Sequence, residues 1–463
     1  MSTGERPLVS VAILLYGLAV LAAAGVGLPL FGDGSFYFVE ILLNGEPLVP
    51  NGRFSAVLPQ LPVVVGMGLT EEVTPLRHAF SLGYAVLPFL SLLACWLVVR
   101  EKAPELILYP ALFLVANQIN FSAVSELLMG LYLTWPFVLL AAVRPDARAT
   151  LMVGVVLAPL LLFLHPLAFA LVLFLAAVGF LVARRSGVDA ARWNRLSAFF
   201  LGFGLIRLFW SLFGMNAYER SHLDTGPAVG YLLPESAAQT ALLVAVLVLG
   251  LVIAAGAVRS AGLGSDEAEG FPKRMFHVFR YAIWPVAGLV AILGLVVAVE
   301  ISAGEGIKLK SALVFPLAVI LMALALLDTP RRTDRGGARS QGPLFLLLAL
   351  TMTAMSVAKT AVWVRATDDL ASAMAESMES CVPFGPEEPP ELQHPHMTAV
   401  DSWTAPMTAL AFQSGHPLVL LLPGDGCGRL AETGMAGLTS WYEKPLGLLE
   451  WRFGLGLGGT PEH

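Results

Sequence analysis

Charge is scarce in this chain. Of its 463 residues, 13% are Asp, Glu, Lys or Arg and 57% are hydrophobic, whereas a soluble domain carries about 25% charged residues. Too few polar groups remain to cover a water-facing surface, which excludes a soluble enzyme and a disordered chain. Cations are not in surplus: 28 Lys and Arg face 34 Asp and Glu, which argues against nucleic acid as a partner. The polar loops hold no Gly-rich phosphate loop and no kinase-like pattern, so a nucleotide is not expected either. No internal repeat is visible, which weighs against transporter folds built from duplicated halves. Cysteine is nearly absent, with three in the chain and no metal-ligand spacing among them. Strand-like alternation is lacking too, which excludes a transmembrane β-barrel.

What is present is long apolar runs. A bilayer core about 30 Å thick takes about 20 apolar residues per helix. That ruler gives eleven candidate spans, near 8–30, 79–99, 106–119, 124–143, 150–164, 167–183, 197–213, 238–258, 278–300, 311–328 and 343–362. The run 150–183 is too long for one crossing and must turn near His165-Pro166, since proline removes a backbone donor and disfavours helix before it. Stretch 8–30 exceeds the apolar core of a signal peptide and has an almost neutral start, so it reads as a retained first helix.

The scarce cations are sorted. Alternate loops hold Arg100, Lys102, Arg144, Arg148, Arg184, Arg185, Arg192, Arg195, Arg259, Lys273, Arg274, Arg331, Arg332, Arg335 and Arg339. The loops between them hold only Arg53, Arg77, Arg220, Lys308 and Lys310. The positive-inside rule then puts the N-terminus in the cytoplasm, and an odd span count puts the C-terminus outside. The expected architecture is an all-α polytopic membrane protein. Residues 1–363 form its transmembrane domain, with a long first outer loop at 31–78, and residues 364–463 a small extracytoplasmic α/β domain.

In that outer region an acidic stretch, Asp368 to Glu379, reads as helical. Pro417 to Pro423 reads as a buried strand and Gly424 to Gly428 as a turn. Cys381 and Cys427, both outside in an oxidising compartment, read as a disulfide, while Cys95 is a small apolar core residue. His394-Pro-His396 lies in a Pro-rich loop without further ligands, so a solvated loop is preferred to a metal site.

Several polar residues on the outer side could carry chemistry. Asp33 follows the first span directly, ahead of an amphipathic stretch with Phe36, Tyr37, Val39 and Ile41 that suits the interface. A desolvated carboxylate there could serve as a base, or it could simply cap the helix. Glu126 opens a span, either as a first-turn acid favoured by the helix dipole or as a second catalytic carboxylate. Asn117, Gln118 and Asn120 could hold sugar hydroxyls through paired donors and acceptors. His165 is a structural turn residue or a proton-transfer group, and Arg207 is a charge within an apolar span that must pair or snorkel. Tyr218 and His222, with Arg220, belong to a polar loop that shapes an acceptor groove or faces water.

An acid just after the first span, a juxtamembrane helix in a long first outer loop, short following spans and an outer C-terminal domain together resemble the GT-C glycosyltransferases. That resemblance covers roughly residues 1–230 in architecture. It implies inverting sugar transfer from a polyprenyl-phosphate donor to a cell-envelope glycan or lipid acceptor, on the outer face of a bacterial inner membrane. Asp33, the position that matches, would be the general base. Arg53, Arg77, Arg220, Lys308 or Lys310 would stabilise the departing phosphate. Asp33 is followed by Gly34, so the paired acids of many relatives are missing, and transfer without cofactor or divalent metal is expected. A transporter or flippase of lipid-linked glycans, or a non-catalytic membrane scaffold, are the alternative functions.

Overall fold

The computed structural model describes residues 5–118, 120–121, 124–185, 188–214, 314–332, 342–376, 381–384, 404–412, 419–423 and 425–437. Helix α1 (Glu5–Gly25) leads through a 3-10 turn, Leu28–Leu30, into α2 (Asp33–Asn44), and then come α3 (Leu61–Met67) and α4 (Val73–Val99). Next are α5 (Leu108–Asn117), α6 (Glu126–Val143), α7 (Arg148–Leu162), α8 (Ala168–Ala183) and α9 (Ala190–Phe213). Helices α10 (Phe315–Arg332) and α11 (Gly342–Glu376) precede β1 (Cys381–Phe384), α12 (Ala405–Phe412), β2 (Leu420–Pro423) and α13 (Gly426–Thr433).

The described residues are mostly helical, and among them α1, α4, α6, α9 and α11 are long and apolar enough to cross a membrane. Helices α5, α7, α8 and α10 are shorter apolar helices. Every apolar stretch read from the sequence within the described residues falls on one of these helices. The stretches 238–258 and 278–300 lie outside the described residues.

The two faces of α1 show why a membrane suits the bundle. Val9, Ala12, Ile13, Tyr16, Val20 and Ala23 are buried, facing α4 and α11. Leu8, Val11, Leu14, Leu15, Leu18 and Leu21 form an exposed stripe at helical spacing. Helix α9 carries a similar stripe, with Leu201, Leu205, Ile206, Phe209, Leu212 and Phe213 exposed. Apolar faces of this extent are unfavourable in water and neutral in lipid.

The basic and the acid-bearing loops gather at opposite ends of the bundle. At one end Arg144 meets Glu101 at 3.2 Å. Arg185 donates to the carbonyls of Ala142 and Leu326 there, and the Trp193 indole donates to Pro145 O. At the other end lie α2, residues 45–60, the segment between α5 and α6, and the α7–α8 turn. The turn falls at His165-Pro166, as the length argument requires. It is tied to the first loop by Ser55 N–H to Phe163 O and Ser55 Oγ to Leu160 O.

A second apolar core sits at that end. It joins Leu28, Leu30, Phe38 and Ile41 to Trp363, Leu370, Met374, Met407, Leu420 and Leu422. Helix α11 has 35 residues, about 52 Å of helix, which outruns an apolar layer of about 30 Å. It runs unbroken through 363/364, where the composition changes from apolar to acidic. Its last turns therefore carry the acidic stretch from Asp368 into the second core. The C-terminal elements share this core with α2 and pack on it. Strands β1 and β2 pair in parallel, which needs a crossover, and α12 lies between them in the chain. Cys381 in β1 is disulfide-bonded to Cys427 in the first turn of α13. Gly426–Gly428, expected in a turn, opens α13 instead, and the helix carries Arg429 bonded to Asp425.

Candidate functional site

The chain reverses between α1 and α2 on two glycines with positive φ, Gly27 (75°) and Gly32 (59°), a conformation that costs other residues more. The reversal places Asp33 in the first turn of α2, where the exposed N–H groups of the helix favour an acid. Asp33 is half-buried. Tyr37 follows one turn later on the same face, buried at 7% exposure. Its hydroxyl donates to Glu126 Oε1 at 2.7 Å, and Arg53 Nη1 meets Glu126 Oε2 at 3.3 Å.

Glu126 is thus held by two donors from the first loop region, and it remains in the first turn of α6. Burial pushes the Tyr37 hydroxyl well above the ordinary tyrosine range, and the negative charges of Glu126 and Asp33 push it further. Tyr37 is therefore a neutral donor at physiological pH. Both candidate carboxylates bear on this one hydroxyl.

Beside this cluster lies a cavity of about 110 Å³, room for several waters. Leu28 and Pro29 from the turn before Asp33 line one side, and Val124 and Ser125, directly before Glu126, line another. Asn117, Gln118 and Asn120 also line it. Asn117 Nδ2 donates to the Tyr132 hydroxyl at 2.6 Å, and Asn120 Nδ2 donates to Asn117 Oδ1 at 2.9 Å. The Lys359 ammonium from α11 reaches into the same place, donating to Gln118 Oε1 at 2.9 Å and to Asn120 O at 2.8 Å.

The remaining expected residues fall as follows. Arg77 donates to Ala411 O at 3.0 Å and its guanidinium lies 4.4 Å from the Phe412 ring, so it joins α4 to the C-terminal end of α12. His165 Nδ1 accepts from Leu167 N–H at 3.1 Å within the α7–α8 turn, and it is not among the residues lining the cavity. Arg207 is buried in α9, 5.6 Å from the Trp210 ring. Arg220, Lys308, Lys310, Tyr218 and His222 lie outside the described residues, as do His394 and His396. Among the described residues no three His, Cys, Asp or Glu side chains gather as a metal site.

An aromatic cluster closes the Asp33 side. Phe31 stacks near Phe121 (4.9 Å) and Trp363 (6.0 Å), and Trp363 meets Phe412 at 5.7 Å. It joins the α1–α2 turn to α11 and α12, so the C-terminal elements brace the acid-bearing turn. Thr408 Oγ1 adds a hydrogen bond to Ser35 Oγ at 3.1 Å.

Lys359 is the group that reasoning from the outer loops passes over. It stands alone as a charge in the run 343–362, and an ionisable residue inside an apolar span is by default a functional candidate. The pairing of Tyr37 with Glu126 spans 89 positions, and no local pattern signals it. Comparison with protein-family models, curated proteins and solved structures finds no match for this chain.

Proposed function

We propose that this chain is a polytopic membrane enzyme, an inverting glycosyltransferase that uses a polyprenyl-phosphate-linked sugar on the outer face of a bacterial inner membrane. In this reading the chain crosses eleven times, with the N-terminus in the cytoplasm and the acid-bearing end outside. The acceptor is a cell-envelope glycan or lipid.

One observation carries the reading: the carboxylates that open α2 and α6 both bear on Tyr37, beside a cavity lined by residues with amide and hydroxyl groups. Asp33 takes the proton of an acceptor hydroxyl as its oxygen attacks the anomeric carbon. The bond from that carbon to the phosphate oxygen breaks, and polyprenyl phosphate leaves with the electron pair. Glu126 fixes the guanidinium of Arg53, whose charge favours the departing anion. The chemistry needs no cofactor.

The test is transfer from a prenyl-phosphate sugar by the purified full chain in liposomes. Asp33→Asn keeps the volume and removes the base, and turnover falls about 10²–10⁴-fold while the unfolding midpoint is kept. Wild-type turnover by that variant sinks the assignment. A second reading, movement of lipid-linked glycans across the bilayer, draws on Lys359 as a charge inside a span. It requires translocation that Asp33→Asn leaves intact.

A further inference from the structure

Lys359 is buried at 8% exposure in a chain segment that has every reason to be apolar. Its ammonium donates to two oxygens, Gln118 Oε1 and Asn120 O. Both are neutral. Among the described residues no carboxylate comes within 4 Å of it. An ammonium taken from water loses its hydration and is ordinarily matched by a counter-charge. Here the match is missing, and one of the three N–H donors of the group is left over beside open space.

The cavity has the complementary chemistry for a polar guest. Tyr16, Tyr132, Ser125 and Ser356 contribute hydroxyls to its lining, and none of the lining residues is acidic. Asn120, which lines it too, has Oδ1 buried without a donor. A guest that brings one negative charge and at least one hydroxyl would answer both needs. A dianion would exceed the single cation of the lining, since no arginine and no second lysine is present there.

We propose that the Lys359 cavity is a binding site for a hydroxylated monoanion, a glycoside bearing either a phosphodiester or a carboxylate. The identification of the guest as a glycoside rests on the glycosyltransferase reading, whereas the anion site rests on the geometry. Lys359 supplies the charge, Gln118 and Asn120 hold the ammonium in place, and the hydroxyls and Asn120 Oδ1 take the sugar. Two of the lining residues, Pro29 and Ser125, lie close in the chain to Asp33 and Glu126.

Binding is measured on the full chain in nanodiscs by calorimetry with three matched probes: a short prenyl phosphodiester of a hexose, a prenyl glucuronide and a neutral prenyl hexoside. At least one anionic probe binds about tenfold or more tightly than the neutral one, and the better of the two identifies the anion. Lys359→Met abolishes that preference and Lys359→Arg restores part of it.

Gln118→Glu is the complementary variant. It sets a carboxylate against the ammonium, neutralises it from within, and removes the preference without lowering the unfolding midpoint. Equal binding of charged and neutral probes by the wild type overturns the proposal, as does an anion preference that survives both Lys359→Met and Gln118→Glu. Because these readouts need no turnover, a wild type that binds the anion but transfers no sugar keeps the site and removes the enzyme reading.

Discussion

Glu126 concentrates the energetics of the acid-bearing end in one side chain. Its carboxylate and the Arg53 guanidinium are 9% and 14% exposed, too buried for either to be left alone cheaply. Arg53→Met leaves the carboxylate with Tyr37 as its one described donor and costs roughly 3–5 kcal/mol, the range for breaking a buried pair. The double variant Arg53→Met, Glu126→Leu removes both charges and costs less than Arg53→Met alone. Thermal unfolding in detergent compares both with the wild type, and a double variant weaker than the single one refutes the view that the pair is a mutual necessity. Tyr37→Phe withdraws one donor from a buried carboxylate and costs about 1–3 kcal/mol. It also changes the alkaline limb. The folded state raises the Tyr37 hydroxyl above its unfolded range, so its contribution is complete below about pH 10 and is lost as pH rises beyond it. The fall in unfolding midpoint from pH 8 to 10.5 is therefore smaller in Tyr37→Phe than in the wild type.

Helix positions in this bundle are set by close backbone approaches as much as by large side chains. A Cβ on Gly34 would stand 1.8 Å from Pro29 O, and one on Gly83 would stand 1.9 Å from Pro59 O. Both clashes are with backbone, which cannot swing aside. Gly34→Ala therefore pushes α2 off the α1–α2 turn and takes Asp33 and Tyr37 with it, while Gly83→Ala separates α4 from the 3-10 segment Phe54–Gln60. Each lowers the unfolding midpoint. Gly202→Ala in α9 meets nothing within 4 Å and raises helix propensity, gaining up to about 1 kcal/mol. If Gly34→Ala and Gly202→Ala shift the midpoint alike, close approach is not what seats α2. The helices themselves were legible because apolar length is a one-dimensional signal. Asp33 at the start of α2 was legible too, from its place between the first span and the amphipathic stretch that follows it. The docking of α12 on α2 was not, since composition separates the acidic C-terminal region from the spans while packing joins them. Nor was the meeting of Lys359 with Gln118, 241 positions apart. Hydropathy averages such a lysine away, although burial makes it the most consequential charge of its helix.

At the scale of the whole molecule, the sorting of charge becomes a statement about orientation that labelling can test. The loops around Glu101, Arg144 and Arg185 meet at one end through their own hydrogen bonds, and the acid-bearing turn, Arg53 and the α7–α8 turn meet at the other. Whatever the total number of crossings, these two groups must face opposite sides if the long apolar helices between them span a bilayer. By the positive-inside rule, the surplus of arginine in the first group predicts that it faces the cytoplasm. Glu46 and Lys102 are both exposed, one at each end, and the remaining thiol, Cys95, is buried, so single added cysteines report cleanly. In intact spheroplasts an impermeant maleimide labels Glu46→Cys at once and labels Lys102→Cys only after permeabilisation. The reverse pattern turns the molecule over and places Asp33 in the cytoplasm, out of reach of an extracytoplasmic acceptor. Labelling of both from one side denies that the intervening helices span at all. The expected pattern leaves the cluster at Tyr37 on the same side as any outer-leaflet substrate, which is the condition the proposed chemistry cannot do without.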